Sequence, residues 1–97
     1  MVRNARNATV AVGTGAVVVL PETFPRRTRY VLKNTSSGTQ IITVSFGQEK
    51  LAVANEGIPL SVGAVISDSD SESYQCFSGA ITAIADGASA QLSVFEA

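Results

Sequence analysis

Apolar residues in this chain recur at alternate positions over short stretches, and each stretch is closed by Gly, Pro, Ser, Asn or Asp. A period of two sends side chains to opposite faces of an extended strand, one face buried and the other wet. No window shows the i, i+3, i+4, i+7 recurrence of a capped amphipathic helix. "TRYVLKN" (28–34) places Tyr30 and Leu32 on one face and Arg29, Val31 and Lys33 on the other. "QIITVSF" (40–46) turns Ile42, Val44 and Phe46 inward and Ile41, Thr43 and Ser45 outward. "ATVAV" (8–12) and "AVVVL" (16–20) flank "GTG", whose glycines accept the positive φ of a hairpin. Pro21 and Pro25 then end the second arm and force an extended crossing segment. Residues 47–63 read as a surface excursion with at most one short strand. "AVIS" (64–67), "YQCF" (74–77), "AITAIA" (80–85) and "AQLSVF" (90–95) complete the set, with "ADGAS" as a hairpin turn around Asp86-Gly87.

Seven to nine short strands without a helix predict an all-β protein, an antiparallel β-sandwich or small barrel. At 97 residues the chain supports one core, so residues 1–6 are assigned to an N-terminal arm and 7–97 to a single β domain. The expected core holds Val10, Val12, Tyr30, Leu32, Ile42, Val44, Phe46, Leu92 and Val94. With only 6% aromatic residues, that core is mainly aliphatic. The single cysteine, Cys76, excludes an internal disulfide and is expected to be a small buried core residue. "MVRNARNATV" has basic residues but no apolar run behind them, so it does not read as a signal peptide. No apolar run approaches the roughly 20 residues that span a bilayer.

Candidate chemistry is sparse. Histidine is absent, which removes Ser-His and Cys-His pairs, the commonest general base and most zinc geometries. "DSDSE" sets Asp68, Asp70 and Glu72 at the alternate spacing of a calcium loop. However, Ser73 stands where that loop needs its glycine and Gly79 where it needs its closing glutamate, so an acidic solvated loop is the plainer reading. "VGTGAVVV" is followed by a strand, so no helix N-terminus is available to hold a phosphate. Asn7-Ala8-Thr9 and Asn34-Thr35-Ser36 match a glycosylation acceptor pattern by chance. No catalytic residue, cofactor or metal is expected.

Charge divides the chain unevenly although the net charge is only −1. Residues 1–33 carry six of the seven bases, and residues 34–97 carry seven of the eight acids. Arg26, Arg27, Arg29 and Lys33 surround the 28–34 strand. The plainest reading is a solvated strand surface, followed by a protein contact, since arginine pairs bidentately with carboxylates. A nucleic-acid groove would need a larger positive excess and stacking aromatics.

"PRRTRYVLKNTSSGTQIITVSFG" and "ANEGIPLSVGAVIS" together resemble small all-β virion proteins of tailed bacteriophages. The shared features are Arg27 to Ser36, Phe46-Gly47, Gly57 to Gly63 and Gly79-Ala80 to Ala85, within residues 20 to 95. The resemblance implies a non-enzymatic structural role at the virion, as a capsid decoration, cement or head-fibre component present in several copies. Expected partners are other virion proteins, namely the major capsid protein or neighbouring copies, with homo-oligomers; nucleic acid and membrane are not expected. Arg3, Arg6, Arg26, Arg27, Arg29 and Lys33 are the expected contacts with acidic protein surfaces, and outward Ile41 and Phe95 the expected apolar contacts. The alternative is a carbohydrate- or receptor-binding β-sandwich module on a virion.

Overall fold

The computed structural model describes residues 5–23, 26–47, 53 and 56–97. Among these residues eight strands follow in chain order. They are β1 (Arg6–Val12), β2 (Val17–Leu20), β3 (Arg29–Asn34), β4 (Ile42–Phe46), β5 (Ile58–Leu60), β6 (Val65–Ser69), β7 (Ile81–Ala85) and β8 (Ala90–Glu96). Two four-stranded antiparallel sheets result, in spatial order β1-β8-β3-β6 and β2-β7-β4-β5. The protein is all-β, as its alternation predicts, and is a small sandwich.

That strand order has a simple origin. β1 pairs with β8, β2 with β7, β3 with β6 and β4 with β5. The chain is therefore one long two-stranded ribbon closed between β4 and β5, and successive ribbon segments alternate between the two sheets. Lateral pairing of β3 with β8 and of β4 with β7 joins the rolled segments. This is a jelly-roll arrangement, two Greek keys in a double sheet.

Rolling the ribbon overturns both expected hairpins. "GTG" and "ADGAS" do not join neighbouring strands; each carries the chain from one sheet to the other. The physical reason is that each flanking strand carries apolar side chains that a core between two sheets can bury. Sent to facing sheets, Val12, Val19, Leu20, Ala85 and Ala90 all bury inner side chains in the same core. The two turns meet at one corner of the ribbon, where Ala85 N–H donates to Gly13 O at 2.8 Å.

"YQCF" is not a strand either. Cys76 N–H donates to the Asp70 carboxylate at 2.9 Å instead of to a neighbouring strand, and Ser71 and Tyr74 form only an isolated bridge. Conversely, β6 runs on through Asp68 and Ser69, so part of the expected acidic loop is strand. Among the described residues of the excursion after Gly47 there is one short strand, β5. Pro59 is tolerated there because β5 is an edge.

The core lies between the sheets. Val12, Tyr30, Leu32, Ile42, Val44, Leu92 and Val94 are buried, and Val10 and Phe46 pack against them half-buried. Leu20, Leu60, Ile81 and Ala83 complete it from the second sheet. Cys76 is buried among them, and its burial pushes the thiol pKa up. Phe46 links Tyr30 and Phe77 in an aromatic chain, with ring centroids 5.9 and 5.4 Å apart.

Gly57 enters β5 at φ +131°, and a Cβ there would lie 2.5 Å from Val44 O. Gly57→Ala combines a disfavoured backbone with a clash against a ladder carbonyl. It should destabilise the fold by at least about 1 kcal/mol in urea titration.

Candidate functional site

Strand β3 and its preceding loop distribute the basic residues by alternation. Tyr30, Leu32 and Asn34 point inward, so Arg29, Val31 and Lys33 emerge on the outer face of the β1-β8-β3-β6 sheet. Register places Phe95 of β8 opposite Val31, and Ser93 opposite Lys33. On the other flank, Ser67 faces Val31 and Val65 faces Lys33. Arg29 lays its guanidinium over the Phe95 ring, 5.7 Å from the centroid, leaving Phe95 half-buried. Val65 is 53% exposed at the margin. Among the described residues the charged side chains at outward positions of these strands are Arg29 and Lys33, both positive, because Asp68 and Glu96 fall on the inward parity of their strands. A shallow cleft of about 260 Å³ follows the β3–β6 seam between Arg29 and Ser69.

Arg27 corrects the expectation that it contacts a partner. Its side chain is fully buried. Nε donates to Glu96 Oε1 at 2.9 Å, Nη1 to Phe77 O at 3.1 Å and Gly79 O at 2.9 Å, and Nη2 to Pro21 O at 2.6 Å. A guanidinium offers five N–H donors in a rigid fork, which suits it to gather carbonyls from separate loops. Arg6 lies in β1, register-paired with Glu96, and its Nη1 sits 3.4 Å from Glu96 Oε2. Arg6 is thus half exposed but already engaged within the domain. Arg26 is likewise held, in a bidentate pair with Asp70.

Among the described expected basic contacts, only Arg29 and Lys33 share one open face. Arg3 lies outside the described residues. Ile41 is 40% exposed, but its backbone exchanges hydrogen bonds with Asp86 at the β7–β8 turn, so it lies in the other sheet's connection and not beside Phe95. The two expected apolar contacts therefore form no common patch.

Two residues that govern the architecture were not assigned that role from the sequence. Glu96 alternates with Leu92 and Val94, and that parity marks it as an inward carboxylate needing a buried cation. Asn34 shares parity with Tyr30 and Leu32, is fully buried, and its Nδ2 donates to Gln40 O at 2.9 Å and Leu60 O at 2.8 Å. Such an amide is closed to glycosylation, in keeping with a chance match.

In the loop after β6, the hydrogen bond from Cys76 N–H holds the Asp70 carboxyl below its ordinary value of 3.8, with Arg26 adding to the effect. The Tyr74 hydroxyl donates to Asp68, which raises the Tyr74 pKa. Tyr30 is pushed up to about 12, first by burial and then by Asp68. Among the described residues no three His, Cys, Asp or Glu side chains converge as metal ligands. No family model matches the chain, and no curated protein or solved structure matches it significantly.

Removing one partner from the buried Arg27–Glu96 pair takes the closest counter-charge from the other, leaving Glu96 with the more distant Arg6 or Arg27 with backbone carbonyls. Arg27→Met and Glu96→Gln should each lower unfolding free energy by about 3–5 kcal/mol. In the double variant the loss should be smaller than the sum of the two, by urea titration. Asp70 predicts a pH dependence. A carboxylate whose folded pKa is lowered stabilises the fold above its unfolded pKa, and that contribution vanishes as pH falls through the folded value. The difference in thermal midpoint between the parent and Asp70→Asn should therefore be full at pH 6 and shrink progressively below about pH 4.

Proposed function

We propose that this chain is a non-enzymatic virion structural protein, a small capsid decoration or cement module that docks through the outer face of its β1-β8-β3-β6 sheet. The observation that carries the reading is the character of that face. It combines an apolar centre, Val31 and Phe95, with two cations, and among the described residues no carboxylate stands at an outward strand position, while Arg26 and Arg27 are held by internal ties. Arginine beside an aromatic ring is a favoured centre for protein contacts, and an all-positive face selects an acidic partner. Two further considerations support it. The jelly roll is an architecture that viral capsid domains use, and the Arg27–Ser36 and Gly57–Gly63 segments resemble tailed-phage virion proteins. Fold by itself does not specify function, so the face and the resemblance bear most of the weight.

A second reading, glycan or receptor binding on a virion, has one observation in its favour. Tyr74 is 48% exposed and bonded to Asp68, which lines the β3–β6 cleft, and lectins also use jelly rolls. A glycan array with Tyr74→Ala as control separates this reading from docking.

The docking reading is tested by co-sedimenting the purified chain with empty particles of the virus that encodes it. The parent chain should pellet with particles. Arg29→Glu combined with Lys33→Glu should weaken binding by at least about tenfold while leaving the circular dichroism spectrum unchanged. Absence of particle binding by the parent, or undiminished binding by the variant, counts against the proposal.

A further inference from the structure

Each sheet ends in two edge strands, and three of the four edges are blunted. β5 is three residues long and contains Pro59. β2 has four residues and a register shift between Val18 and Leu20. On β6 the Asp68 carboxylate accepts the Ser69 N–H at 2.9 Å, occupying an outward donor. β1 differs. It spans seven residues, holds an unbroken register with β8 from Arg6 to Val12, and contains no proline or bulge. A long regular edge without such a device is a template for another strand.

Its free groups can be assigned. Ala97 exchanges backbone hydrogen bonds with Arg29, and Thr35 N–H donates to Gln91 O, so odd-numbered residues of β8 aim their backbones at β3. Even-numbered residues of β8 therefore aim at β1 and bond Arg6, Ala8, Val10 and Val12, their register partners. Asn7, Thr9 and Ala11 are left with N–H and C=O groups directed out of the sheet.

We infer that β1 pairs antiparallel with β1 of a second copy about a twofold axis at Thr9. This register sets Asn7 opposite Ala11, Thr9 opposite Thr9 and Ala11 opposite Asn7. All three pairs are of the hydrogen-bonded kind, with two bonds each, and every outward group of β1 is used. Parity is preserved, so Ala8 meets Val10 on the inner face, while Thr9 meets Thr9 on the outer face, a favourable cross-strand pair. Arg6 falls opposite Val12, which separates the two Arg6 side chains by about 20 Å, six residues of strand and more than a Debye length. Among the described residues of β1, no like charges stand opposite each other in this register. The interface is isologous, as twofold dimers require, and joins two four-stranded sheets into one of eight. By contrast, packing the outer faces of two copies together would bring Arg29 and Lys33 of each against those of the other.

The test uses the purified full-length chain alone, so its outcome is independent of whether particles are bound. Light scattering behind size exclusion should give twice the 10.0 kDa chain mass. Thr9→Lys places two cations directly opposite and should raise the dimer dissociation constant by at least about tenfold with an unchanged far-ultraviolet spectrum. Thr9→Cys should form a disulfide-linked dimer under mild oxidant, since facing hydrogen-bonded residues have Cα atoms about 5.5 Å apart. Thr14→Cys, in the exposed β1–β2 connection, is the control and should not cross-link comparably. A monomeric parent, a Thr9→Lys chain that stays dimeric, or equal cross-linking of the two cysteine variants would each overturn the inference.

Discussion

The Arg27 guanidinium is the tie on which the roll depends. It reaches into the corner where β2 turns to β3 and β6 turns to β7, and binds carbonyls from both arms of the ribbon together with the last carboxylate of β8. Those carbonyls lie in connections without a strand partner, and a buried backbone oxygen left unbonded costs about as much as a lost hydrogen bond. One side chain settles three of them and is itself neutralised by Glu96. The neighbouring Arg26–Asp70 pair and the Asp70 N–H bond to Thr28 O, 2.7 Å, close the same corner from outside. Asn34 has the matching task at the next corner, where it joins the β3–β4 and β5–β6 connections through Gln40, Leu60 and Gly63.

Most of the polar chemistry in this chain is consequently architectural. Rolling a ribbon creates several sheet-to-sheet corners, and each needs donors and acceptors that alternating strands cannot supply. What remains for a partner is whatever the strands present outward and along their edges. The outer face of the β1-β8-β3-β6 sheet retains Arg29 and Lys33 around Val31 and Phe95, and its β1 margin retains an unmodified backbone edge. Face and edge belong to the same sheet.

Alternation made much of this legible. The opposite faces of 28–34 and 40–46, the aliphatic core and the short strand within 47–63 follow from a period of two and from punctuation by glycine and proline, and the buried Cys76 from its residue type. Glu96 and Asn34 were readable by the same parity, which sets each beside core residues of its own strand. Arg27 was not. It precedes its strand, in a run with Arg26 and Arg29, and nothing local distinguishes the buried guanidinium from the exposed one two residues later.

Local pattern therefore determined the class of structure, the inner and outer face of each strand and the residues able to fill a core. Which strand lies beside which was decided only in three dimensions. "GTG" and "ADGAS" have the chemistry of tight hairpins, yet the strands on either side go to facing sheets, where their inner apolar side chains enter one shared core. The partner of Arg27 was settled in the same way. Glu96 stands 69 residues further along the chain, and only the rolled ribbon brings its carboxylate to the guanidinium.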